Sequence, residues 1–186
     1  MKIARGFSAL AAALALAGAL AAQQHAPAAQ TGSIQLTFGG LAHRAAEVSD
    51  VTLDGPMLQL GIRMLSAQES DAQARRVLQQ LTGVHVKSLR FDRRGEYSAQ
   101  DLDQIRRQLQ APGWNHIMSV QSRGDSRNVD VYVMATAQGP AGMVIIAAYP
   151  RELRVVNLVG PIDPAALSQL GGHFGIPRVE PIRRQP

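Results

Sequence analysis

Four short runs rich in Val, Ile, Met and Tyr, at 115–120, 129–136, 142–149 and 153–159, constrain the fold of this chain more than any other feature. They are separated by Ser122-Arg123-Gly124-Asp125-Ser126, by Gln138-Gly139-Pro140 and by Pro150-Arg151-Glu152. These turn-forming mixtures are too short to hold a crossover helix, so the spacing predicts hairpins and an antiparallel meander. Alternation agrees: Val129, Val131 and Val133 share one face, leaving Asp130, Tyr132 and Met134 on the other. The run Met143-Val144-Ile145-Ile146-Ala147-Ala148-Tyr149 is apolar at both parities, which predicts a central strand covered on both sides. The last run mixes Arg154 and Asn157 with Val155, Val156 and Leu158, and is expected nearer an edge.

Ahead of the meander, the sequence punctuates itself with helix signals. Leu41, Ala45 and Val48 fall at helical spacing over 41–48, and Val51-Thr52-Leu53 reads as a short strand. Asp54-Gly55-Pro56 opens a second helix, with Asp54 as N-cap and Pro56 in its first turn. Its interior, 57–65, is apolar around most of its circumference, as in a buried helix; Met57 and Met64 could alternatively line an adaptable groove. Ser70 is placed to cap a third helix striped by Ala74, Leu78 and Leu81, ended by Gly83, with a strand at 84–91 after it. Ser98-Ala99-Gln100-Asp101 resembles a capping box, opening a fourth helix with Leu102, Ile105 and Leu109 inward and Arg106 and Arg107 outward. Beyond the meander, Ile162-Asp163-Pro164 predicts a fifth helix, ended by Gly171-Gly172. The expected class is α+β: a mostly antiparallel sheet, its four-strand meander C-terminal, with helices packed mainly on one face.

The beginning of the chain sets the expected compartment. Lys2 and Arg5 precede an apolar core at 7–20, and Ala19-Leu20-Ala21 suits cleavage, so 1–21 reads as a secretory signal peptide. Its apolar run of about 14 residues is shorter than the roughly 18 a membrane span needs. Export to the periplasm or beyond is expected, with no integral membrane segment after cleavage. The expected organisation is a mostly disordered leader at 22–38, one α+β domain at 39–171 and a flexible basic tail at 172–186. The chain has no cysteine, so core packing alone must stabilise it and no lipid-attached cysteine can anchor it.

Charge and motif chemistry exclude more than they assign. Removing Lys2 and Arg5 takes the formal charge from +5 to +3, and Arg178, Arg183 and Arg184 less Glu180 put +2 of that on the tail. The domain is nearly neutral. Only Arg90, Arg93 and Arg94 cluster, around Asp92 and Glu96, which is a solvated turn rather than a nucleic-acid surface. The five histidines, His25, His43, His85, His116 and His173, form no pair at ligand spacing, and no metal or other cofactor is expected. Gly124-Asp125-Ser126 starts like a serine-hydrolase motif but lies where a hairpin turn selects those residues for backbone reasons. Gly171-Gly172-His173-Phe174-Gly175 lacks the strand before and helix after it that a phosphate loop requires. Asp54 and Asp163 are explained by capping without an acid/base role.

In their order along the chain, four stretches resemble the secreted bacterial family called domain of unknown function 4252. These are Val51-Thr52-Leu53-Asp54 with the apolar helix after it, Trp114-Asn115-His116-Ile117-Met118-Ser119-Val120, Asn128-Val129-Asp130-Val131-Tyr132-Val133, and Val155-Val156-Asn157-Leu158-Val159-Gly160-Pro161-Ile162-Asp163. The resemblance spans about 41–170. It implies an exported α+β domain of the bacterial envelope, and many members of the family carry a lipid-anchoring cysteine that this chain lacks. It supplies no activity and no catalytic residues.

These readings point to a non-catalytic interaction module rather than an enzyme, with an envelope-associated enzyme whose site assembles only in three dimensions as the alternative. Candidate binding residues are Trp114, read first as a plug at the core edge, and Tyr132 and Met134 on the second sheet face. The expected partner is an envelope protein, a second copy of the chain or an apolar ligand.

Overall fold

The computed structural model describes residues 31–64, 69–122, 124 and 126–162. The expected signal peptide, fifth helix and basic tail lie outside them. Within the described residues, the elements are α1 (Leu41–Arg44), β1 (Glu47–Asp54), α2 (Gly55–Met64), α3 (Glu69–Leu78), β2 (Gly83–Arg90), α4 (Ala99–Gln108), β3 (Trp114–Ser122), β4 (Arg127–Thr136), β5 (Gly139–Tyr149) and β6 (Glu152–Val159). The strands form one six-stranded sheet in the order β1-β2-β6-β5-β4-β3, every neighbouring pair antiparallel. The predicted meander is therefore present as β3-β4-β5-β6. The sheet continues past it, with β2 on the far side of β6 and β1 outermost.

Two differences follow from that extension. β6 is not near an edge, because β2 and β5 flank it and 155–159 are buried at both parities. Arg154 and Asn157 are matched by remote partners: Arg154 Nε donates to Ser88 Oγ at 3.2 Å and Asn157 Nδ2 donates to the Gly32 carbonyl at 3.0 Å, while Arg154 Nη2 also pairs with Glu152 of the same strand. β1 is also longer, and α1 shorter, than helical spacing predicts. The backbone at 47–54 pairs residue for residue with 90–83, so the sheet takes a segment that a helix of one or two turns could not hold by itself.

The sheet buries both of its faces. Val129, Val131 and Val133 of β4 meet Met143, Ile145 and Ala147 of β5, Val156 and Leu158 of β6, Leu58 and Ile62 of α2, and Val77 and Leu78 of α3. The opposite parity, Tyr132, Val144, Ile146, Ala148, Leu153 and Val155, meets Leu41 of α1, Leu102 and Ile105 of α4, Leu109 and Trp114. This corrects the expectation of helices mainly on one face: α2 and α3 cover one side, α1 and α4 the other. β5 requires that arrangement, since all of 143–148 is buried.

The second face has a further cover that the sequence reading assigned to a disordered leader. In 33–38 the alternating residues Ile34, Leu36 and Phe38 pack against that cluster. Asn157, 4% exposed, pins one end: its Nδ2 donates to the Gly32 and Met143 carbonyls at 3.0 and 3.2 Å, and its Oδ1 accepts from the Ile34 amide at 3.1 Å. Gln108 of α4 pins the other, accepting from the Thr37 amide at 2.8 Å and donating to the Thr37 carbonyl at 2.8 Å. The strap comes so close to β5 that a Cβ on Gly142 would lie 2.5 Å from the Gly32 oxygen.

α4 is fixed at its start by the capping box the sequence announces. Ser98 Oγ accepts from the Asp101 amide at 3.3 Å, and the Asp101 carboxylate accepts from the Ser98 amide at 2.8 Å. Arg44 adds an ion pair to Asp101 at 2.7 Å. Partial burial opposes the Asp101 charge, but these bonds outweigh it and hold its carboxyl below the usual value.

Replacing Asn157 by Ala leaves two carbonyls and an amide without their partner, and chemical denaturation should show a loss of about 2–3 kcal/mol. Tyr97, whose hydroxyl donates to the Tyr149 and Glu152 carbonyls, has its pKa pushed up to about 12 by burial and by the nearby Glu152 charge. Between about pH 10 and 12 the unfolded chain gives up this proton while the folded chain keeps it, so stability falls as pH rises. The decline in melting temperature over that range should be shallower in Tyr97→Phe than in the parent.

Candidate functional site

Where α4 ends, its cover over the second sheet face ends too, and an open groove of about 690 Å³ lies between the helix and the strands β3 and β4. The sequence dictates its walls. Leu102 and Ile105 bury one side of α4, which brings Asp103, Arg106, Arg107 and Gln110 to the groove. The strands contribute Trp114, His116, Ser119 and Gln121 from β3, and Asp130 and Tyr132 from β4.

Asp130 is the unusual residue. It is 3% exposed, in a strand whose neighbours Val129 and Val131 belong to the opposite core. A carboxylate removed from water needs compensating charge and hydrogen bonds. Arg106 supplies them, donating from Nε and Nη2 to Oδ2 at 2.9 and 2.6 Å. The third arm of the guanidinium, Nη1, donates to Asp103 Oδ1 at 2.9 Å. Burial opposes the Arg106 charge, but the bonds to Asp130 and Asp103 outweigh it and raise its pKa above the ordinary arginine value.

His116 completes the cluster from the other side. Its Nε2 lies 3.4 Å from Asp130 Oδ1, and its ring stacks on Tyr132 with centroids 4.6 Å apart and planes at 25°. Strand register explains the stack, because His116 and Tyr132 are directly opposed in the β3–β4 ladder. Burial, and then the Asp130 charge, raise the Tyr132 phenol above its usual pKa. The groove therefore joins an aromatic floor to a neutralised ion pair, with exposed Arg107, Gln110, Ser119 and Gln121 around it.

Of the three residues singled out from sequence, Trp114 and Tyr132 line this groove while also belonging to the second core cluster. Met134 does not line it; it pairs with Trp114 across the strands and packs against the same cluster, close to Gly113. Arg106 was expected to face outward. Instead its long side chain folds back to Asp130. The signal for that pair was present: a carboxylate at core-facing parity in an apolar strand demands a cation, and α4 offers Arg106 and Arg107.

The other candidates stay apart. Among the described residues no group of three or more His, Asp or Glu side chains could hold a metal ion. His85 lies in a separate hollow of about 280 Å³ beside the strap, near Thr52 and the Lys87–Asp50 ion pair. His43 is exposed on α1, and His25, His173 and Asp163 lie outside the described residues. Ser126 sits in the β3–β4 connection with a left-handed φ of 52°. Asp54 is exposed at the β1–α2 junction. On α2, Leu58 and Ile62 are buried, whereas Met57, Leu60 and Met64 are exposed, so the helix is not buried all round. No helix among the described residues is long and apolar enough to cross a membrane.

The model of the family described as Domain of unknown function (DUF4252) matches residues 43–170. The chain belongs to this family. No curated protein matches it. Among solved structures it is similar to one described as crystal form III of TP0453, at 16% identity and a TM-score of 0.24, with 74% of this chain and 52% of that one covered. The chain thus spans about half the length of that protein.

Replacing Arg106 by Ala leaves Asp130 buried without its main counter-charge, and should cost about 3 kcal/mol in denaturant unfolding. Arg107→Ala, on the exposed side of the same turn, should change stability by less than about 0.5 kcal/mol.

Proposed function

We propose that this member of the DUF4252 family is an exported, non-catalytic interaction module of the bacterial cell envelope, and that it binds its partner in the groove between α4 and β3–β4. One observation carries the reading: Arg106 binds Asp130 and Asp103 together, so the buried carboxylate is paired, while Trp114 and Tyr132 give an aromatic floor and Arg107 stands exposed beside it. A partly aromatic concavity whose buried carboxylate is already paired suits recognition, in which aromatic anchors and a few fixed polar groups supply affinity and orientation. Export is supported by the charged start, apolar core and small-residue junction of 1–21.

A second reading has its own support. The contact of His116 with buried Asp130 beside an open groove resembles a base held by an orienting carboxylate, and Ser119 lines the same groove. Against it, no hydrogen bond joins Ser119 to His116 among the described residues, and Asp130 Oδ2 is already engaged by Arg106.

Affinity capture of the tagged chain from its native envelope distinguishes the two. The binding reading expects a species that wild type retains, that Arg107→Ala/Gln110→Ala loses, and that the distant Arg94→Ala keeps. Recovery of the same species by all three proteins contradicts it. Turnover of ester, peptide or glycoside substrates that His116→Ala abolishes would establish the enzyme reading instead.

A further inference from the structure

The strap at 33–38 belongs to no strand of the sheet, yet it is gripped as a bound peptide would be. Asn157 of β6 takes the Gly32 carbonyl and the Ile34 amide, and Gln108 of α4 takes the amide and the carbonyl of Thr37. Thr37 Oγ1 adds a side-chain bond, donating to Gln108 Oε1 at 3.0 Å. Groups that hold main chain admit any extended segment, so selection falls to the alternate side chains, here Ile34, Leu36 and Phe38 against the second core cluster. Lys87 Nζ stands 5.5 Å from the centroid of the Phe38 ring, which favours an aromatic at that position.

The fit is loose. Ile34, Leu36 and Phe38 stay only partly buried, whereas Leu89, Leu153 and Val155 of the same cluster are buried. The hollow of about 280 Å³ is lined by those three strap side chains together with Thr52, His85 and Val155, and bulkier side chains would fill it. The family match begins at residue 43, so Gln108, Val155 and Asn157, which wall this channel, belong to the family's domain, and the segment filling it belongs to the flank of this chain. Gly39 and Gly40 join the two. Both are exposed, Gly39 has a φ of 51°, and a Cβ on Gly40 would meet nothing within 4 Å, so the strap can swing at this turn without disturbing α1.

We propose that this channel is a binding site for an extended, uncharged segment of a partner protein with apolar side chains at three alternate positions, the last of them aromatic, and that 33–38 is its internal occupant. The segment now in place selects that chemistry, since it shows which pattern the channel accepts and which main-chain atoms are held at each end. A partner segment with larger side chains fills the hollow as well, and that added contact offsets the advantage the strap has from its tether. The site is distinct from the groove between α4 and β3–β4, because α4 turns Gln108 to the strap and Arg107 and Gln110 to the groove.

The chain has no cysteine, so Gln35→Cys on the exposed side of the strap carries a single dye. In the intact chain, an unlabelled peptide of residues 31–40, added at about millimolar concentration to match a tethered strap, should lower the anisotropy of that dye as the strap is released. The same peptide with Ile34→Ser, Leu36→Ser and Phe38→Ser should not. In a second protein a protease site is placed between Gly39 and Gly40 and cut after folding, with far-UV circular dichroism confirming that the fold is kept. Labelled peptide should bind this cut protein at least tenfold more tightly than the intact one; Asn157→Ala should remove the gain, and Arg94→Ala, elsewhere on the fold, should keep it. A folded cut protein that takes up no peptide overturns the proposal, and should cutting unfold the chain, an intact chain whose dye does not respond overturns it in turn. So does equal uptake of the serine-substituted peptide, or a stable dimer in which straps exchange between copies and added peptide is excluded.

Discussion

The structure depends on burying one strand from two sides. β5 has no solvent parity: Met143, Ile145 and Ala147 belong to one core, and Val144, Ile146 and Ala148 to the other. Each large apolar side chain gains about 1.5–3 kcal/mol by leaving water, so neither face can remain open at small cost. A sheet of this kind must find two covers within one modest chain. α2 and α3 supply the first. α4 is ten residues long and supplies only part of the second, so 33–38 is laid across the remainder and fastened to β6 through Asn157 and to α4 through Gln108.

The same shortage of cover creates the groove. Past Leu109 the helix no longer lies over β3 and β4, and the exposed part of the second face is completed with Asp130, His116 and Tyr132 rather than with more aliphatic residues. A buried ion pair is seldom the most stable way to fill such a position, since desolvation offsets much of the attraction. Keeping Asp130 and Arg106 there fixes the end of α4 against β4 and shapes a concave surface with defined donors. Structure and proposed function meet in that pair.

Much of this was legible in the sequence, and what was not has identifiable causes. Period-two alternation and turn residues located β3, β4, β5 and β6, and the Ser98–Asp101 box located the start of α4. β6 was taken for a near-edge strand because Arg154 and Asn157 look solvent-facing, and their partners Ser88 and Gly32 are 66 and 125 residues away. The strap was missed although Ile34, Leu36 and Phe38 alternate as a strand would, since an Ala-, Gln- and Pro-rich stretch precedes them. Trp114, whose place at a strand entrance reads as a plug at the core edge, and Tyr132, which alternation puts on the second face, both line the groove; Arg106 is not legible there because helical periodicity places an α-carbon but not the end of a long side chain.

The central claim, that the second sheet face is closed by 33–38 as well as by helices, is tested most directly by comparing the chain begun at residue 22 with one begun at residue 39 in urea unfolding with a hydrophobic dye present. Removing three apolar side chains and the partners of Asn157 should lower stability by roughly 3 kcal/mol or more and produce dye binding below the transition. Equal midpoints for the two chains, with no dye binding by the shorter one, would contradict the account.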